Sequence, residues 1–183
     1  AHYFMGGVVV DTDTRTALSG LYVAGEDAGG AHGANRLGGN GVANSTVYGG
    51  FAGDVMGRDI ALQTSLRDPD ETVIEAEVAR AMHPAGRSQS GRVQGDIHAL
   101  RRELQNVMWD DVGVIRTKAG MTGALAKLGA IEDELMQTGI AGGSLAFNLT
   151  WHDWLNMRSR VAISRVITHA GLARENSRGA HYR

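Results

Sequence analysis

Glycine is the feature that most narrows what this chain can fold into. Fourteen of its 26 glycines lie within residues 1–60 and only 12 in the remaining 123, in a chain whose glycine content is about twice the ~7% of average proteins. A front that dense in glycine cannot be one run of regular helix; it reads as short extended pieces joined by loops whose backbone is left open to close approach. The back of the chain is free to be regular. With 43% apolar and 21% charged residues over 183 positions, the whole has the balance of a globular chain with a buried core, not a disordered one.

Gly7–Val10, closed by Asp11-Thr12-Asp13-Thr14, reads as a short strand ended by turn chemistry. Gly20–Glu26 reads as a second, buried strand that delivers a carboxylate at its end. From Asp27 to Gly41 the chain is glycines and small residues around one cation, Arg36. Val47, Phe51, Val55 and Ile60 then recur at helical spacing, with an N-cap candidate in Asn44-Ser45-Thr46 and a start as early as Gly41. Strand, glycine loop and helix N-terminus together collect unpaired N–H groups and a positive dipole end, suited to an anionic ligand group. The same order equally describes a turn that lets helix and strand pack, and neither a GxGxxG nor a Walker spacing is present.

Behind the front, Pro84–Gly91 is the linker candidate. Ile97, Leu100, Leu104, Val107 and Met108 form one helical stripe; Met121, Leu125, Leu128, Ile131 and Leu135 form a second, with Gly139 placed to stop it; Trp151, Trp154, Leu155, Val161 and Ala162 open a third that ends near Gly171. Three such stripes with short connections predict an antiparallel three-helix bundle. Their methionines and tryptophans read as core, Glu132-Asp133-Glu134 as a solvated face, and Asp110-Asp111 as a helix end. The expected organisation is residues 1–68 as the front, 69–92 as a connecting helix and linker, and 93–183 as a helical domain.

Several function classes drop out. Eighteen basic against 20 acidic residues leave a net charge of −2, without the cationic surplus nucleic-acid binders use. Cysteine is absent, which removes disulfides and thiolate metal ligation within this chain. No apolar run reaches a membrane span, no signal peptide is visible, and the histidines form no HExxH or similar ligand spacing. The chain opens on Ala1 without an initiator Met, so it is expected to be a piece of a longer one.

His2–Gly7, Gly20–Glu26 and His32-Gly33-Ala34-Asn35-Arg36-Leu37-Gly38-Gly39-Asn40 occur in the order found in the flavoprotein subunits of succinate dehydrogenase and fumarate reductase. Glu103–Trp109 and Arg174–His181 resemble that family's C-terminal helical domain. The resemblance covers nearly all of the chain and implies an α+β architecture: the last piece of an α/β FAD-binding domain, then the helical bundle. It implies an FAD-dependent enzyme that interconverts succinate and fumarate by hydride transfer at flavin N5, with an upstream arginine as proton donor; the piece alone is expected to be inactive. His2 and Arg36 match the family's substrate-binding residues for the carboxylates of a C4 dicarboxylate, where a guanidinium fork suits the geometry. Glu26 matches a glutamate that contacts FAD, and Gly41 and Val42 match the residues whose backbone approaches the flavin. The helix that follows would aim its N-terminus at the flavin's pyrimidine edge. The family usually has Ser-Leu at these two positions, so a hydroxyl contact is absent here.

The resemblance further implies a partner, the iron–sulfur subunit, and a cytoplasmic location at the inner face of the membrane, with membrane contact made only through partner subunits. L-aspartate oxidase shares the architecture, and its glycine loop more often lacks the Leu37-Gly38-Gly39 run. A rival from another class is a free-standing helical interaction module. At the level of single residues, Glu26 is alternatively a helix-capping carboxylate, Arg36 a tie within the loop, and His32 either a loop-orienting or a ligand-touching histidine.

Overall fold

The computed structural model describes residues 2–63, 68–89, 95–142 and 144–183. It divides into two compact units, Ala1–Asp68 with Arg178–Ala180, and Pro69–Ser177 with His181–Arg183.

In the first unit the extended pieces pair only at isolated points. Val8 pairs in parallel with Ala28, its N–H donating to the Asp27 carbonyl at 2.8 Å while Gly29 N–H donates back at 2.9 Å. Arg15 pairs antiparallel with Tyr22, flanked by Thr16 N–H to Leu21 O and Val23 N–H to Thr14 O, each at 3.0 Å. Gly7–Val10 and Gly20–Glu26 are therefore not the strands their composition predicts, and the α+β class is not carried by the described residues, which hold five α-helices and single bridges. A ladder needs a neighbour along its whole length, and an extended segment that meets one at a single position stays irregular.

Helix α1 spans Asn40–Leu62. It starts one residue before the earliest start expected, because Gly39 at φ 84° serves as N-cap in a left-handed conformation that glycine adopts freely. Asn44 is thus inside the helix and not its cap. Of the predicted stripe, Val55 is fully buried and Phe51 partly, whereas Val47 and Ile60 are 66% and 67% exposed.

The second unit is helical. Helix α2 covers Glu71–Gln89, α3 Ile97–Asp110, α4 Lys118–Gln137 and α5 Leu149–Ala173. Each of the last three has a side-chain cap where the chain turns in: Asp96 accepts from His98 N–H, Thr117 from Gly120 N–H and Asn148 from Trp151 N–H. Their stripes meet in one core of Ile97, Leu100, Leu104, Leu128, Ile131 and Leu135 around Trp154, Met157 and Val161. The Trp154 ring is wholly buried, and its indole N–H donates to the Leu135 carbonyl at 2.9 Å, so the one polar atom it carries inward is satisfied.

Helix α2, against the linker expected from Pro84, runs through that proline to Gln89; Ser90 and Gly91 lie outside the described residues. Proline removes one helical N–H and crowds the preceding turn. Tertiary bonds hold the helix across it: Trp151 Nε1 donates to Ala81 O at 2.8 Å, and the His83 ring bonds Met136 O at 3.0 Å. Pro84 itself is buried.

Candidate functional site

The glycine-rich loop brings its one cation back to the start of α1. Arg36 lies over the ring of Tyr3, its guanidinium carbon 4.3 Å from the ring centroid. Its Nη1 donates to the carbonyl of Leu37 at 3.1 Å, while its Nε is buried and makes no hydrogen bond. Gly41, in the first turn of α1, sits against the same ring: a Cβ at that position would lie 2.9 Å from Tyr3 Cε2 and 3.6 Å from Arg36 Nη1.

Helix α1 opens without a side-chain cap and without an acid in its first turn. Asn40 N–H is taken by Leu37 O at 3.2 Å. The amides that follow, at Gly41 and Val42, belong to the helix's orphan donors, and the positive dipole end coincides with them. Val42 is exposed.

Glu26 sits in a 3₁₀ turn, Gly25–Asp27, and does not cap a helix. Its Oε1 accepts the Phe4 N–H at 2.8 Å, which ties the segment carrying His2 and Tyr3 to the turn. His2 is exposed. His32 bonds Tyr3 Oη at 3.1 Å and Asn44 Nδ2 at 3.2 Å through Nε2, and Asn44 Nδ2 also donates to Gly25 O at 3.2 Å. The structure therefore joins Arg36 with Gly41 directly, and brings the His2 segment to them through Tyr3 and Glu26.

Sequence reasoning missed Tyr3 and Asn44. Tyr3 stands beside the predicted His2, which was the available signal; nothing local marks Asn44 as the partner of a histidine on the preceding loop. It also missed the clamp that holds the Asp11–Val23 hairpin to α1. Arg15 donates Nε and Nη2 to the two oxygens of Asp59, each at 2.8 Å, and Tyr22 Oη donates to Asp59 Oδ2 at 2.5 Å. The Arg15 guanidinium, and after it the Tyr22 hydroxyl, hold the Asp59 carboxyl well below the usual carboxylate range. Among the described residues no cluster of histidines and carboxylates could hold a metal ion, and no helix is long and apolar enough to cross a membrane.

Comparison with known proteins matches both ends of the chain. Residues 1–42 match the family described as FAD binding domain, and residues 101–183 the family described as Fumarate reductase flavoprotein C-term. The fumarate reductase flavoprotein subunit of Mycobacterium tuberculosis is 32% identical over 185 residues, covering 100% of this chain and 32% of that protein. L-aspartate oxidase of Yersinia pestis is 33% identical over 186 residues, covering 100% and 31%. The chain thus spans about a third of the length of the curated relatives it matches. Among solved structures, the Mycobacterium smegmatis Sdh1 complex in its apo form superposes with a TM-score of 0.90 at 33% identity, over 99% of this chain and 30% of that one. These matches run through both units, front and helical part alike.

Proposed function

Because this chain belongs to the flavoprotein family of the succinate dehydrogenases and fumarate reductases, we propose that it closes the active site of an FAD-dependent oxidoreductase that interconverts succinate and fumarate. FAD is the cofactor, and when bound it supplies the hydride acceptor and donor at N5.

The observation that carries the reading is Arg36: a guanidinium with a buried, unpaired Nε, fixed beside Gly41 at the uncapped start of α1. A buried donor without an acceptor is costly, and a ligand carboxylate relieves it. Arg36 then binds one carboxylate of a C4 dicarboxylate in a fork geometry, and His2, two residues before the Glu26-anchored Phe4 amide, takes part in holding the other. The chain's own residues fit a flavin at the same place. The amides of Gly41 and Val42 face outward at a positive helix end, which favours negative charge at the pyrimidine edge, and no side chain of the first turn competes for them. Glu26 keeps one carboxylate oxygen outside its bond to Phe4 for a contact to FAD. In this reading an iron–sulfur subunit exchanges electrons with the flavin, and partner subunits make the membrane contact.

The flavoprotein that carries this chain, assayed with succinate and a dye acceptor and with fumarate and a reduced dye, is expected to turn over both. The identity to an L-aspartate oxidase supports a second reading. Oxidation of L-aspartate without oxidation of succinate would select it.

A further inference from the structure

We propose that Tyr3 is a positioning residue for Arg36: its ring is the platform that sets where the guanidinium fork points, and His32 and Asn44 lock that platform. The inference rests on Arg36 being the carboxylate-binding side chain.

A loop arginine has a long flexible stem and a strongly hydrated head, so aiming it requires a fixed partner. The usual partner is a carboxylate, which would occupy the N–H donors that a substrate carboxylate needs. Among the described residues no acid pairs with Arg36. It is held instead over an aromatic face, with its guanidinium carbon 4.3 Å from the Tyr3 centroid. A π-face attracts the cation and takes none of its five donors. Its Nε is buried and makes no hydrogen bond, and its Nη1 bonds only the neighbouring Leu37 carbonyl, so the stacked ring and not a protein carboxylate sets its direction.

The platform is itself immobilised. Asn44, 8% exposed, directs Nδ2 at the carbonyl of Gly25, which can only accept, and this fixes the amide's orientation. Its second N–H then points at His32 Nε2. That nitrogen must be an acceptor, so the ring carries its proton on Nδ1 and the Tyr3 hydroxyl donates to Nε2 at 3.1 Å. The two rings meet edge to face, centroids 5.3 Å apart at 79°. Gly41 leaves the room the Tyr3 ring takes up, because any Cβ there would meet it at 2.9 Å.

The test is a double-mutant cycle in the FAD-loaded flavoprotein that carries this chain, reading malonate binding by calorimetry together with flavin content. Tyr3→Leu, which deletes the platform, is expected to weaken malonate roughly tenfold or more, and Tyr3→Phe, which keeps the face and loses the lock, about threefold, with flavin content unchanged. In an Arg36→Ala background, Tyr3→Leu should add nothing. Equal weakening in both backgrounds, or no weakening by Tyr3→Leu, overturns the positioning role. If Arg36→Ala itself leaves malonate binding unchanged, the carboxylate-binding reading of Arg36 fails instead. Should Tyr3→Leu not accumulate as folded protein, Tyr3→Phe carries the same cycle, and additivity there has the same meaning.

Discussion

Arg116 donates through Nη1 to Nδ1 of His181 across 2.6 Å, and the opposite nitrogen of that buried imidazole bonds the carbonyl of Arg174 at 3.2 Å. The ring is therefore neutral, with its proton on Nε2, among Arg116, Arg174 and Arg183. Burial first, and the Arg116 charge next, hold its pKa below the ordinary 6.5. The unfolded chain takes up a proton there near pH 6.5 and the folded chain resists it, so stability is full above that pH and declines as pH falls below it. Denaturation followed by tryptophan fluorescence should show a lower midpoint at about pH 5.5 than at about pH 7.5, and His181→Gln should flatten this slope. An unchanged slope in the variant would count against the account.

On the proposed role of Arg36, its replacement by Ala removes a charge-assisted fork and leaves a substrate carboxylate unpaired. In the flavoprotein carrying this chain, kcat/KM for succinate or fumarate should fall by about 3 kcal/mol, roughly a hundredfold, with flavin content nearly unchanged. Loss of flavin with normal turnover per remaining flavin would instead make Arg36 a cofactor or loop residue.

Leu128 is fully buried on α4 in the core it shares with α3 and α5. Leu128→Ala should cost about 2–5 kcal/mol of unfolding free energy, while Ile163→Ala on the exposed side of α5 should change it by under ~0.5 kcal/mol. Urea titration of both variants decides between this core and another packing.

The helices were legible because their signal is local. Ile97, Leu100, Leu104 and Val107 repeat at helical spacing and are all buried; on α5 Trp154 and Val161 are buried as expected, whereas Ala162 is exposed and the buried Met157 was not in the predicted stripe. The proline rule failed at Pro84 because partners far along the chain hold the helix together there: the Trp151 indole donates to the Ala81 carbonyl, and the His83 imidazole donates to the Met136 carbonyl. The extended front was misread for the converse reason: Gly7–Val10 has the composition of a strand, but a strand exists only where a partner lies beside it, and Val8 alone finds one. At the site, the proximity of Arg36 to Gly41 follows from one short loop. The lock of Tyr3, His32 and Asn44 depends on three separate segments and has no local pattern.

Gly179, at φ 57°, passes so close to the loop that a Cβ would lie 2.3 Å from the Ala34 carbonyl oxygen, while Ala180 N–H donates to that same oxygen at 3.1 Å. Gly179→Ala should break this bond and loosen the loop two residues before Arg36. Weaker malonate binding with an unaltered helical unfolding transition is the expected pattern. Unchanged malonate binding would show that the loop holds its form without Ala180.

That same pairing sets an order of assembly during synthesis. Residue 34 waits for residue 180, and at about 5–20 residues per second the ribosome takes roughly 7–30 s to make the intervening chain. Until then the loop that carries Arg36 emerges with its Ala34 carbonyl unmatched, so it is among the last parts of this chain to mature, although it precedes every α-helix in the sequence. A nascent chain stalled between the two would carry a complete α1 beside a loop that still lacks its closing bond.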